Sequence, residues 1–473
     1  MLDLLIRNGL TVTPAGVGYL DVGIRDGRIV MLADHDSAPP DRAEEVDATG
    51  KIVVPGGIDP HVHTSWLIPT AAKEGLMCYP PEQVSLAAIY GGTTMILDFA
   101  TWVPGDTLEQ SLARKERDWS GKSYTDYAYH CIMKGEIPFE VIEQIPEVIA
   151  AGYPSFKVFM TNTTPSRPPQ KIGLGDIWAI LEQVGRHDGL LAVHAEDDDI
   201  VMFSYRRLAH EDKWSFENVH LAHNSLSEAV SFRRLINLLE RVGGRAYFMH
   251  VSAEEGVRAV REAQAAGLPV YAETLQHYLS FTSDDYRRPN GAVFHTYPSL
   301  KSAEDQAALW DGLKQGTIQT VATDEMCTSL EVKLRGRTVD DVTGGHAGVE
   351  VRMGVMYTEA VVKRGMSLEE FARITSSNAA KIFGMYPRKG AIAVGSDADL
   401  VLLETVPRRL TASELHETDY TPWEDWEVSG WPATTILRGK VMVQDGKLRG
   451  TKGDGTWIAR KLGPAGGNDV GRG

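Results

Sequence analysis

Cysteine is scarce: Cys78, Cys131 and Cys327 are the only three in 473 residues. An odd trio builds no disulfide framework and fits a reducing compartment. No stretch approaches the ~18 consecutive apolar residues of a membrane span. The start, Met1-Leu-Asp-Leu-Leu-Ile-Arg7, has no long apolar core behind a basic flank, so no secretory signal is visible. Cytoplasm is the expected location. Excess positive charge is also missing. A net charge of −16 argues against nucleic-acid phosphate or an anionic membrane surface as partner. No GxGxxG or P-loop stands where a nucleotide-binding turn would need one. These absences leave a small, uncharged or compact substrate as the natural partner.

What is present is enough for a large core. Apolar residues make up 43% of the chain, and the length suggests one large domain with an accessory one. Residues 1–55 read as short strands with turns, as in Leu4–Gly9 and Leu20–Val30, punctuated by Asn-Gly and Asp-Gly. Asp34 to Glu45 reads as a surface loop. The same β texture returns in Ala398–Leu403 and Thr435–Gly446. The two ends are therefore expected to meet in one small β-sandwich domain, residues 1–55 and 386–460, with a flexible tail at 461–473. Residues 56–385 alternate β runs with amphipathic helical segments. The runs are Thr93–Phe99, Ser155–Met160, Leu190–His194, Ala246–Val251, Val270–Glu273 and Ile318–Thr323; Glu228–Leu239 and Glu254–Ala266 read as helices. Such repetition fits an α/β fold, a (β/α)8 TIM-like barrel, better than a sheet sandwich. An open doubly wound sheet is the alternative.

Polar residues of one chemical kind sit at the ends of these runs. His61 and His63 follow Val53-Val-Pro-Gly-Gly-Ile-Asp-Pro60; in extended chain, i and i+2 point the same way and can reach one ion. Lys157 lies inside a strand of Phe, Val and Met. His194 and His250 end two runs, and Asp324 closes Thr320-Val-Ala-Thr323. Each has an ordinary explanation alone: a core histidine, a snorkelling lysine, a helix N-cap. Six in strand order point instead to one barrel mouth, where barrel enzymes place their sites.

With those residues in view, the chain resembles the cyclic amidohydrolases, the dihydropyrimidinase, hydantoinase and allantoinase branch of the amidohydrolase superfamily. The resemblance runs through Pro55–His63, Gly91–Phe99, Phe156–Met160, Val193–Glu196, Met249–Ser252 and Gly390–Leu400 to Asp419-Tyr-Thr-Pro-Trp-Glu424 and Gly430-Trp-Pro432. It implies a binuclear metal centre. His61, His63 and Asp324 would hold one ion and His194 and His250 the other. Lys157, carbamylated by carbon dioxide, would bridge them. Nitrogen and oxygen ligands without thiolate suit zinc, with manganese or cobalt as substitutes. A bridging hydroxide would attack the ring amide while Asp324 moves its proton to the leaving nitrogen, giving an N-carbamoyl or half-amide acid. The resemblance also implies a homotetramer. Allantoin or a cyclic imide is the alternative substrate. A non-catalytic collapsin-response-mediator-like scaffold is the distant alternative, disfavoured because all six ligand positions carry competent residues.

The chain departs from the family pattern near the substrate. The tyrosine usual five residues after the bridging lysine is replaced by Asn162, whose amide is expected to donate to substrate. Tyr297 and Gly344 are expected to contribute backbone contacts, and His346 in Gly344-Gly-His-Ala-Gly348 to touch substrate. His220 and His223, and the run Glu196–Asp199, read as solvated helix starts, with Glu196 assisting ligand orientation. Cys327 reads as a packed thiol, and Asp397 and Asp399 as structural turn residues.

Overall fold

The fold, a computed structural model describing residues 1–35, 40–167 and 169–464, is a barrel inserted into a sheet made by the two chain ends. The barrel strands, all parallel, run in the order Gly57–Asp59, Thr93–Thr101, Asp126–Ile132, Ser155–Phe159, Leu190–His194, Ala246–Phe248, Val270–Leu275 and Thr320–Ala322. The first and last meet just beyond their ends. His63 N–H donates to Glu325 O (2.7 Å) and Glu325 N–H to His61 O (3.3 Å). The segments that carry His61, His63 and Asp324 thus also close the barrel.

The strands are buried on both faces, so alternate residues enter two different cores. Met95, Leu97 and Phe99 join the barrel interior with Ala128, Ile132 and Phe159, while Ile96, Ala100, Phe156 and Val158 pack outward against the helices. Lys157 shares the face of Phe159 and therefore points inward. The surrounding helices follow the sequence period: Leu174–Arg186 buries Ile177, Ile180, Leu181 and Val184. Ser225–Val242 starts where Asn224 accepts the Ser227 N–H. Phe383 and Met385 line the far end of the interior.

The chain ends form a single hydrogen-bonded sheet of nine strands around a core of Leu4, Ile6, Val22, Ile24, Leu400, Leu402 and Ile436. Leu400–Glu404 lies antiparallel between Ile52–Pro55 and Trp431–Leu437. At the junction with the barrel, buried Lys389 contacts Asp126 (2.5 Å), Asp397 (3.1 Å) and Asp399 (2.6 Å). The two turn aspartates are structural.

Two local readings change. The Asp34–Glu45 loop is shorter than expected. Arg42–Asp47 is a strand paired in parallel with Leu2–Thr13, although Glu44 and Glu45 gave it no apolar alternation; residues 36–39 lie outside the described set. Asp126–Ile132 is a further barrel strand that its apolar pattern does not announce, because Asp, Tyr and His interrupt it. Most of the expected tail, residues 465–473, also lies outside the described residues.

Candidate metal centre

Six side chains from five barrel strands gather at one barrel mouth. Lys157 Nζ lies 3.1 Å from His61 Nε2. Asp324 Oδ1 lies 3.0 Å from His61 Nε2 and 3.3 Å from His63 Nε2. On the other side, His194 Nδ1 and His250 Nε2 face each other at 3.0 Å, and the His61 and His250 rings are 5.4 Å apart. All six residues are buried, Asp324 and His63 the most exposed at 8% each.

A further layer of carboxylates sets which ring nitrogen faces inward. His61 Nδ1 meets Glu273 Oε1 at 2.8 Å, which leaves Nε2 toward Lys157 and Asp324. His194 Nε2 meets Glu196 Oε2 at 2.8 Å, which leaves Nδ1 inward. Glu196 is held in turn by His223 Nδ1 (2.9 Å), and Tyr205 Oη lies 2.9 Å from His223 Nε2. Thr296 donates to Asp324 Oδ2 at 3.1 Å. Two of the six residues also hold unusual backbone: His250 has φ 41° and Asp324 φ 51°. Non-glycine residues adopt such values at a cost, and they concentrate at functional sites.

Burial and charge tune the protonation states. Burial pushes the Lys157 amine down to about 8 and His63 down to about 4. Burial also draws His250 well below the ordinary imidazole value, with His194 adding to the effect. Burial works against ionised Asp324, but His61 and His63 hold its carboxyl well below the usual range. Burial and Lys157 work against a charged His61 ring, but Asp324 and Glu273 raise it above the ordinary imidazole value. The mouth thus combines lowered His63 and His250 imidazoles, a raised His61, an ionised carboxylate and an amine whose proton affinity burial reduces. The donor atoms of His61, His63 and Asp324 all lie within 4.8 Å of one another. With oxygen and nitrogen donors only, that group is able to hold a divalent ion.

The Amidohydrolase family profile matches residues 52–442. The chain belongs to the amidohydrolase family. Among its relatives, the D-hydantoinase of Geobacillus stearothermophilus is 33% identical over 465 residues, 96% of each chain. A solved D-hydantoinase structure superposes with a TM-score of 0.92 at 33% identity, covering 98% of this chain and 99% of that one. The dihydropyrimidinase of Brevibacillus agri NCHU1002 gives 0.91 at 31% identity, over 98% and 99%. This amidohydrolase therefore stands in the hydantoinase and dihydropyrimidinase branch as a cyclic amidohydrolase.

Above the six residues the amidohydrolase opens a cleft, lined also by Trp66, Thr163, Arg167, Tyr297, Met326 and Gly344. Tyr297 and Gly344 line this wall. Gly344 is needed there for space: a Cβ would come within 2.6 Å of the Tyr297 ring. Asn162 is placed differently from expectation. Its Oδ1 accepts the N–H groups of Gln170 and Lys171, both at 3.0 Å, so the side chain ties its own loop together. Thr163 and Arg167 of that loop line the cavity instead. His346 is fully buried and stacked on His277, with ring centroids 4.3 Å apart, behind the wall. His223 and Glu196 are buried too, so the expected solvated helix starts are corrected. Asp197 caps the following helix, accepting the Ile200 N–H. His220 is half-buried against Glu217 O. Cys327 is packed and fully buried, which raises its thiol far above the reactive range.

Sequence reasoning missed Glu273, Thr296 and Arg167. Glu273 ends the run Val270-Tyr-Ala and carried the same signal as the histidines, a polar residue closing an apolar strand. Arg167 had no such signal, because it stands in an irregular proline-rich loop.

Proposed function

We propose that this amidohydrolase opens a small cyclic amide of the hydantoin or dihydropyrimidine type, giving an N-carbamoyl or half-amide acid. The observation that carries the reading is the convergence of His61, His63, Lys157, His194, His250 and Asp324, with Glu273 and Glu196 turning the imidazole lone pairs inward. His61, His63 and Asp324 would hold one divalent ion and His194 and His250 a second, with zinc the best match and manganese or cobalt able to substitute. Lys157 suits the bridging role once carbamylated. A bare ammonium would repel both ions, whereas its carbamate is anionic with two oxygens. Carbamate formation needs the free amine, and a pKa of about 8 makes that form accessible near neutrality. When bound, the ions supply Lewis-acid polarisation of a ring carbonyl and acidify a water.

The chain's own residues handle the protons and the fit. Asp324, ionised and oriented by Thr296, takes a proton from the attacking water as its oxygen bonds to the ring carbonyl carbon. As the ring C–N bond breaks, Asp324 returns that proton to the departing nitrogen. Trp66, Met326 and Tyr297 form the apolar wall that keeps bulk water from the ring.

The test is a ring-opening assay of zinc-loaded protein on dihydrouracil, 5-substituted hydantoins, allantoin, succinimide and phthalimide, with metal analysis of the same sample. Turnover of hydantoins or dihydrouracil with about two metal ions per chain is expected. Turnover confined to allantoin or to the imides would move the substrate class. A protein without stoichiometric metal or turnover would be the scaffold instead.

A further inference from the structure

Among the described residues, Arg167 is the one cationic side chain on the cavity wall apart from Lys157 at the centre. Its guanidinium carbon sits 4.5 Å from the Tyr297 ring centroid, within cation–π range. Its only hydrogen bond from the side chain among the described residues is a long one, Nη2 to Val342 O at 3.4 Å. Nε is shielded from solvent and makes no hydrogen bond. Buried guanidinium nitrogens in native proteins are ordinarily satisfied, so this guanidinium, on a residue that lines the cavity, is left short of acceptors.

The acids nearby do not supply it. Asp340 and Asp341 border a neighbouring hollow with Arg167. Asp340 Oδ1 accepts the Ser166 N–H (3.1 Å). Asp341 Oδ1 is taken by the N–H groups of Arg337 (2.9 Å) and Thr338 (2.7 Å). Among the described residues Arg167 forms no ion pair, and those two acids position backbone instead.

The loop that carries Arg167 is anchored on both sides. Asn162 binds the 170–171 end, Ser166 is held by Asp340, and Arg167 N–H reaches back to Thr164 O at 3.4 Å. The planar guanidinium packs on the Tyr297 ring, its carbon 4.5 Å from the ring centroid. Opposite it, Gly344 leaves room: a Cβ there would stand 3.9 Å from Arg167 Nη2 and would collide with Tyr297. A preorganised fork with free donors is suited to a carboxylate, which accepts two parallel N–H bonds.

We propose that Arg167 is a specificity-determining residue that selects cyclic amides bearing a carboxylate on a ring substituent, and binds that carboxylate while the ring amide lies over the six converging residues. This rests on the cyclic-amide reading above and narrows its substrate class to anionic rings. It also gives the displaced Asn162 a purpose, since Asn162 shapes the loop that presents Arg167.

The experiment compares hydantoin-5-acetic acid with its neutral near-isostere hydantoin-5-acetamide, on zinc-loaded wild type, Arg167→Gln and Arg167→Lys. The readouts are kcat and KM for each. Wild type is expected to favour the acid by tenfold or more in kcat/KM. Arg167→Gln should reduce that acid-to-amide ratio by about 10- to 100-fold, mainly through the KM of the acid, as expected for loss of a charge-assisted pair. Arg167→Lys, retaining charge but not the fork, should recover part of the ratio. Equal kcat/KM for acid and amide in wild type would overturn the proposal while leaving ring opening intact. So would an Arg167→Gln loss that is the same for both compounds, the mark of a packing role on Tyr297. If wild type opens neither these rings nor any other cyclic amide, the cyclic-amide reading fails, and this inference with it.

Discussion

At the scale of single residues, the six converging side chains were legible because each is a polar residue within or just after an apolar strand. Strand periodicity fixed their facing, and Lys157 shares the inward face of Phe159. Asn162 was read from its spacing to Lys157, and spacing fails in irregular loops. The loop's own N–H groups at 170 and 171 claimed its oxygen. His346 failed for a related reason, because a histidine in a glycine-rich stretch can turn into the wall as readily as into the cavity. The demanding residue-scale prediction concerns Lys157. If Lys157 carries the proposed carbamate between two ions, Lys157→Ala should lose at least about a thousandfold in kcat, since an anionic ligand is removed along with its charge stabilisation. Added acetate or propionate should restore part of the rate in a saturable way. Full activity of the variant without any addition would remove the carbamate from the mechanism.

At the scale of elements, helices and strands with clean periods were found close to their limits. Glu254–Ala266 was expected and Glu254–Ala265 is observed. Strands whose pairing is set by tertiary neighbours were not found, as Arg42–Asp47 and Asp126–Ile132 show. One element hides a titration that sequence could not reveal. Glu228, buried in the helix Ser225–Val242, gathers Ser252 N–H (3.2 Å), Ser252 Oγ (2.6 Å) and Ala253 N–H (3.1 Å), fixing the turn after His250. Burial raises its carboxyl from 4.5 to about 7. The folded state therefore binds more protons than the unfolded state between those values. Stability from this group is complete below pH 4.5 and is lost as pH rises to about 7, on the order of 3 kcal/mol in all. Denaturation of wild type against Glu228→Gln between pH 5 and 8 should show that downward slope in wild type only. Parallel slopes would contradict the assignment.

At the scale of the whole molecule, the closing of the barrel and the building of the site are one event. The hydrogen bonds that join the first and last strands run through His61, His63 and Glu325, the neighbour of Asp324. A chain whose two ends meet in one sheet holds that seam from outside, with Lys389 and its three aspartates at the junction. The barrel and the β character of both ends could be read from alternation and turn residues. The single continuous sheet could not, since strand partners far apart in sequence leave no local trace. The account stands or falls on two ions bridged through Lys157. The most direct measurement is anomalous diffraction above the zinc edge from crystals of zinc-loaded protein. Two peaks are predicted, one beside His61, His63 and Asp324 and one beside His194 and His250, with density continuing from Lys157 Nζ to both. Peaks absent from that mouth, or a bare Lys157 amine beside loaded metal, would contradict it.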